Sequence, residues 1–110
     1  MHAVLLLLAL AGCHGAQQVG VDMAFDVDDD GGRSSAKCIA SSGGACQIEF
    51  RGAGAVRTTL QPGEMRSFAQ VRPGTVVCIA AELADLARCE PVTLAAGYAR
   101  IRKGRYNRVG

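Results

Sequence analysis

Tryptophan is absent from this chain of 110 residues, and its aromatic residues are three phenylalanines and two tyrosines. So few rings limit both the volume of a hydrophobic core and the surface available for stacking a ligand. The two histidines, His2 and His14, both precede the part of the sequence that is patterned like a folded domain. Because a serine or cysteine triad needs a histidine base, we expect that the domain is not an enzyme.

The sequence also lacks an apolar run long enough to cross a bilayer. The run Ala3–Ala11 has nine residues, whereas a membrane-spanning helix needs about twenty. A run of this length near the start of a chain is typical of the hydrophobic region of a signal peptide. The segment before it, Met1–His2, contains no Lys or Arg, so the usual basic n-region is missing.

The end of this run, Leu10-Ala11-Gly12-Cys13, resembles the lipobox of bacterial lipoproteins. The resemblance implies that the Cys13 thiol receives a diacylglyceryl group, that the signal is cut before Cys13, and that a fatty acid such as palmitate acylates the new amino terminus. His14, rather than Asp, follows the cysteine, which in that family implies the outer membrane with the domain facing the periplasm. The alternative is an ordinary secretory signal, cut near Gly15–Ala16, that leaves a soluble periplasmic or secreted protein.

The rest of the chain has the composition of one small globular domain, with 49% hydrophobic and 20% charged residues. We therefore divide the chain into a signal peptide (1–12), a lipidated tether (13–18) and a single domain (19–110). Apolar and polar residues alternate through most of the domain, which predicts strands with one buried face. The strands are expected near 19–27, 36–40, 45–51, 55–61, 65–72, 75–81, 91–95 and 98–108.

Turn signals such as Pro62-Gly63 and Pro73-Gly74 separate these runs. Short strands at such spacing predict an all-β fold, a small β-sandwich or β-barrel of seven to eight strands. One helical turn is expected at Glu82–Arg88. The last strand is expected to fold back as a hairpin at Lys103-Gly104.

Five cysteines leave one unpaired in an exported protein, and assigning Cys13 to lipid leaves an even set of four. Four cysteines allow three pairings, among which we favour the local one, Cys38–Cys46 and Cys78–Cys89. The segment between Cys38 and Cys46 suits a hairpin with Gly43 in the left-handed conformation. Disulfides of this kind fit an oxidising compartment.

The segment FDVDDDGG places Asp26, Asp28 and Asp30 before Gly31, as in the first half of an EF-hand loop. Alternating carboxylates offer the hard oxygen ligands that calcium prefers, so these three residues are a candidate calcium site. Lys37 stands where the loop needs a bidentate glutamate. The simpler alternative is that the aspartates form the solvent face of the first strand and its turn. We expect no other cofactor.

The end of the chain is basic and is a candidate binding surface, with Arg100, Arg102, Lys103, Arg105 and Arg108 in its last eleven residues. Behind an export signal, such a segment favours anionic lipid, peptidoglycan or an acidic envelope protein over nucleic acid. The alternative is that these cations pair with the acidic segment 22–30 or form the solvent face of the last hairpin.

These patterns predict a non-catalytic lipoprotein of the cell envelope that serves as an interaction or structural module. Gly97-Tyr98 and Lys103-Gly104 resemble the G-Y…K-G element of small lipid-anchored β-barrel inhibitors of lysozyme. The tryptophan and the serine expected near that element are absent, so inhibition of a hydrolase such as lysozyme is the alternative function. A calcium-stabilised secreted module is the third hypothesis.

Overall fold

The computed structural model describes residues 18–30, 33–52 and 56–106. The predicted signal peptide, Cys13, Gly31 and Arg108 lie outside the described residues, as does most of the tether. Within the described part of the chain, no helix is long and apolar enough to cross a membrane.

Eight strands and one short 3-10 helix form the domain, and the alternation of apolar residues explains most of them. The strands are β1 (Gln18–Val27), β2 (Ser34–Ser41), β3 (Cys46–Arg51), β4 (Val56–Leu60), β5 (Met65–Phe68), β6 (Val76–Ala80), β7 (Val92–Thr93) and β8 (Gly97–Tyr106). The 3-10 helix, Leu83–Arg88, lies where the sequence predicts a helical turn.

The strands make two antiparallel sheets that pack as a β-sandwich. The first sheet has the order β5-β2-β1-β8, and the second has the order β4-β3-β6-β7. Among the described strands, hydrogen-bonded pairs join neighbours within a sheet and never join the two sheets. The prediction of an all-β sandwich is therefore confirmed, and the barrel alternative is wrong.

The core lies between the inner faces of the two sheets, where all three phenylalanines meet. Phe25 on β1 packs edge-on against Phe50 on β3, with 6.5 Å between the ring centroids. Phe50 in turn lies 4.8 Å from Phe68 on β5. Phe50 belongs to the second sheet and the other two rings belong to the first. The apolar contacts of this cluster therefore hold the two sheets together.

The disulfide Cys38–Cys46 also joins the two sheets, as a covalent bond between β2 and β3. The predicted pairing is present, but the predicted hairpin is wrong because β2 and β3 belong to different sheets. Gly43 does not have a positive φ; Gly44 does, at +92°. Gly43 is required for a different reason, since a Cβ there would collide with the carbonyl oxygen of Ala81.

The second disulfide, Cys78–Cys89, fastens the 3-10 helix over the outer face of the second sheet. Leu86 of the helix is buried against Cys78 and Ala80 of β6, which forms a second, smaller apolar cluster. The first sheet has no such cover among the described elements.

β8 does not fold back at Lys103-Gly104, so the predicted last hairpin is wrong. β8 is one strand of ten residues that pairs with β1 along its whole length, from Gln18 opposite Tyr106 to Val27 opposite Gly97. Gly104 lies opposite Gly20, and a Cβ on Gly20 would collide with the carbonyl oxygen of Lys103. The glycines here allow two backbones to approach, and the chain continues straight through them.

Replacing each disulfide by two alanines should lower the free energy of unfolding by about 2.5 to 3 kcal/mol from loop entropy, given loops of this length. Cys38→Ala/Cys46→Ala should lose more than Cys78→Ala/Cys89→Ala, because Cys38 and Cys46 are both fully buried between the sheets. Urea unfolding followed by circular dichroism measures both values. Equal losses would contradict the inter-sheet role of Cys38–Cys46.

Candidate binding face

The outer face of the first sheet is not covered by any other described helix or strand, whereas the 3-10 helix packs on the second sheet. Along β1, the residues Val21, Met23, Phe25 and Val27 are buried in the core. The residues between them therefore point outward, and the same alternation applies to the paired strands. The outward side chains are Asp22, Ala24 and Asp26 on β1, Ser35 and Lys37 on β2, Met65 on β5, and Tyr98, Arg100 and Arg102 on β8.

Two large apolar side chains stand exposed on this face. Tyr98 is 70% exposed and Met65 is 65% exposed, which makes them the most exposed large hydrophobic residues in the described part of the chain. They come from the two outer strands of the sheet, β8 and β5, with β1 and β2 between them. Exposed Tyr and Met of this kind are characteristic of protein interaction surfaces.

A depression of about 290 Å³ lies between Tyr98 and Met65. Its floor includes Ala24 and Ile39 from the two middle strands, and Asp26 and Lys37 bring one charge of each sign to it. Ala24 lies directly opposite Lys37 in the β1–β2 pairing, and Asp26 lies directly opposite Ser35. We call this set of residues the Tyr98–Met65 face. It offers apolar contact at its centre and opposite charges that can orient a ligand.

Asp22 links the acidic first strand to the basic last one. Its carboxylate accepts two hydrogen bonds from Arg100, with Nε at 3.0 Å from Oδ1 and Nη2 at 2.7 Å from Oδ2. Arg102 adds an ion pair, with its Nε 3.3 Å from Oδ2. The hydrogen bond from Arg100 lowers the pKa of Asp22, and the charges of both arginines act in the same direction.

Carboxylates of the same domain therefore neutralise part of the predicted basic surface. Arg100 and Arg102 share Asp22, and the Lys103 Nζ lies 3.7 Å from the Glu90 carboxylate. The backbone of Arg105 lies on β8 opposite Val19, and Arg108 lies outside the described residues. The expectation that the acidic and basic ends of the chain pair with each other is met at Asp22.

The candidate calcium ligands are spread along the end of β1 and its turn. Asp28 accepts hydrogen bonds from the backbone N–H groups of Asp30 and Arg33, at 3.3 Å and 3.1 Å, so its carboxylate shapes the turn. Asp26 and Asp30 are exposed. Among the described residues, no three carboxylate, histidine or cysteine side chains gather closely enough to hold a metal ion. Because Gly31 lies outside the described residues, the calcium site stays a prediction.

The outer face of the second sheet is closed by charge pairing as well as by the 3-10 helix. Glu49 on β3 lies between two arginines, with Arg57 Nε at 2.8 Å and Arg51 Nε at 2.9 Å. Hydrogen bonds from Arg57 and then Arg51 lower the pKa of Glu49. Arg51 also donates a hydrogen bond to the Leu86 carbonyl oxygen of the helix. The sequence analysis did not predict this cluster. Because the cluster and the helix occupy the outer face of the second sheet, the Tyr98–Met65 face is the open side of the sandwich.

Comparison of the chain with protein-family models, with curated proteins and with solved structures found no significant match. The resemblance to lysozyme inhibitors also stays a prediction. Its residues, Gly97-Tyr98 and Lys103-Gly104, lie on one straight strand, with Tyr98 on the outer face.

Asp22→Asn should lower the free energy of unfolding near neutral pH by about 1 kcal/mol, because it removes a charged partner from two half-exposed arginines. The folded-state pKa of Asp22 is lowered, so its contribution is complete above the unfolded value of about 4 and is lost as the pH falls through the folded value. Urea unfolding near neutral pH and in acid measures the difference between the two proteins.

The matched control is Asp26→Asn, since Asp26 lies on the same strand and face but has no cation partner among the described residues. It should change the stability by less than about 0.5 kcal/mol at either pH. A stability difference for Asp22→Asn that stays constant into acid would contradict the ion-pair role.

Proposed function

We propose that the chain is a lipoprotein of the cell envelope, anchored through Cys13, whose β-sandwich is a non-catalytic binding module for an envelope protein. The partner contacts the Tyr98–Met65 face. The observation that carries this proposal is the exposure of Tyr98 and Met65 on either side of one depression, on a sheet face that no described element covers.

Two features support a location outside the cytoplasm. The sequence Leu10-Ala11-Gly12-Cys13 ends the apolar run in the manner of a lipobox. Independently, the four remaining cysteines form two disulfides in the fold. Structural disulfides persist where the environment is oxidising, as in the periplasm and outside the cell.

The chemistry of the face favours a protein over a glycan or a lipid as its ligand. Tyr and Met are enriched in protein interfaces, and a tyrosine supplies a large contact area with little side-chain entropy to lose. Asp26 and Lys37 carry opposite charges, so the face matches a surface with both signs and has no preference for a purely anionic one. The Cys38–Cys46 disulfide fastens this sheet to the other one and so helps to keep the face in one shape before binding, which reduces the cost of association.

Mass spectrometry of the protein purified from bacterial membranes tests the anchor. The first residue of the mature chain should be Cys13, bearing a diacylglyceryl thioether and an acylated amino group. A Cys13→Ala variant should remain uncut and unlipidated. An unacylated amino terminus after Gly15 or Ala16 would contradict the anchor and favour the secreted form.

A photo-crosslinking amino acid placed at residue 98 tests the face in living cells. We expect one discrete adduct with a membrane or periplasmic protein, and we expect that Met65→Ser weakens the purified complex by about tenfold or more, as for a residue at the centre of an interface. The stability of the Met65→Ser domain should change by less than about 0.5 kcal/mol, because Met65 is largely exposed.

The matched control places the same crosslinker at Leu83, which is 55% exposed but lies on the 3-10 helix of the other sheet. The same adducts from both positions would contradict a specific face. An adduct from residue 98 that disappears after digestion of peptidoglycan would replace the protein partner by a glycan one.

A further inference from the structure

The two disulfides differ in how far solvent can approach them. Cys38, Cys46 and Cys78 are fully buried, whereas Cys89 is only half-buried. Cys89 also lines a cavity of about 370 Å³ that the 3-10 helix, β6 and β8 enclose. A thiol that reduces a disulfide must reach one of its two sulfur atoms, so access helps to decide which disulfide reacts. In the folded domain, the half-buried cysteine is the accessible end of the second disulfide.

The Cys78–Cys89 disulfide fastens a small unit that is separate from the main core. The 3-10 helix buries one side chain fully, Leu86, in an apolar cluster with Cys78. Arg51 adds a hydrogen bond to the Leu86 carbonyl oxygen, at 3.1 Å. The core between the two sheets is a different cluster. Losing this disulfide should therefore free the helix and leave the sandwich folded.

We propose that Cys78–Cys89 is a redox-sensitive site, at which a protein dithiol reduces the disulfide by attack on Cys89 and so releases the 3-10 helix from the second sheet. The Cys38–Cys46 disulfide stays intact and keeps the two sheets joined. The site requires neither the lipid anchor nor the binding face of the proposed function.

The reaction is a thiol–disulfide exchange in two steps. A thiolate of the reductant attacks the Cys89 sulfur, so a mixed disulfide forms at Cys89 and the S–S bond to Cys78 breaks. The second thiolate of the reductant then attacks the reductant's own sulfur in the mixed disulfide, which frees Cys89 and leaves the reductant as a disulfide. Two electrons pass from the reductant to the domain, and both cysteine sulfurs take up protons from water.

The burial of Cys78 explains why the reductant needs two thiols. A thiolate is unfavourable in apolar surroundings, and Cys78 lies in the apolar cluster under the helix. Until the helix lifts, the Cys78 sulfur stays beside the mixed disulfide and can displace the reductant again. A second thiol on the reductant completes the reaction before this reversal. A monothiol such as glutathione has no second thiol and stops at the mixed disulfide.

Four charged side chains line the cavity beside Cys89, and they form two ion pairs. Arg88 Nη2 lies 2.8 Å from the Asp85 carboxylate. Lys103 Nζ lies 3.7 Å from the Glu90 carboxylate. The attacking thiolate is an anion, so Glu90→Gln should speed the attack and Lys103→Gln should slow it, each by about twofold at low salt.

Trapping of the thiols over time tests the site. Protein purified from bacterial membranes is incubated at neutral pH with a Cys-x-x-Cys protein dithiol or with glutathione, and quenched with N-ethylmaleimide. Peptide mass spectrometry then assigns each modified cysteine. The dithiol should reduce Cys78–Cys89 at least about tenfold faster than Cys38–Cys46. Glutathione should give mainly a mixed disulfide at Cys89, and a dithiol protein that lacks its second cysteine should be captured there.

The matched controls for the charge variants are Asp29→Asn and Arg33→Gln. Both residues are exposed and lie between β1 and β2, outside the cavity. These substitutions make the same changes in charge as Glu90→Gln and Lys103→Gln, and they should leave the rate of reduction unchanged.

Amide hydrogen exchange, followed by mass spectrometry, measures the effect of reduction on the fold. Residues 83–89 should lose their protection, whereas the strands of both sheets should keep theirs. Equal rates of reduction for the two disulfides, or a mixed disulfide at a cysteine other than Cys89, would overturn the proposal. Loss of protection throughout both sheets would also contradict it, because the disulfide would then hold the whole sandwich and not the helix alone.

Discussion

The antiparallel pairing of β1 with β8 is the constraint on which the rest of this molecule depends. It joins the first and last described strands over ten residues and makes β1 an inner strand of its sheet. Asp22 holds the register by binding Arg100 and Arg102 across the two strands. Gly20 permits this pairing because, without a Cβ, it leaves room for the Lys103 carbonyl oxygen. A shift by one residue would separate the charges and turn Met23 and Phe25 toward solvent.

Local patterns in the sequence predicted the strands that have one buried face and one polar face. In β1 and β3, apolar residues alternate with charged ones, so the period alone identifies the elements. The disulfide pairing was also predictable, because each pair closes a short loop. The hairpin at Lys103-Gly104 was wrong because a turn signal describes only local preference, and the ladder with β1 outweighed it. The role of Gly43 depends on Ala81, a contact between distant segments that local sequence does not specify.

The candidate site was less predictable than the fold for the same reason. Tyr98 and Met65 are 33 residues apart in the sequence, and they share a face only because the strand order is β5-β2-β1-β8. The aspartates also show that local sequence does not identify which residues meet in the fold. The sequence drew attention to Asp26, Asp28 and Asp30 because their spacing matches a known loop, whereas Asp22 makes the ion pairs that join the strands. Only the register of β8 distinguishes Asp22 from its neighbours on the same strand.

The strand order also decides which part of the first sheet can meet a partner. Tyr98 and Met65 stand on either side of the depression because β1 and β2 lie between β8 and β5. The edge of the sheet is protected in a different way. β8 is an edge strand that carries Arg100 and Arg102, and charged side chains along an edge discourage pairing with another chain. The outer face is therefore more open to a partner than the edge is.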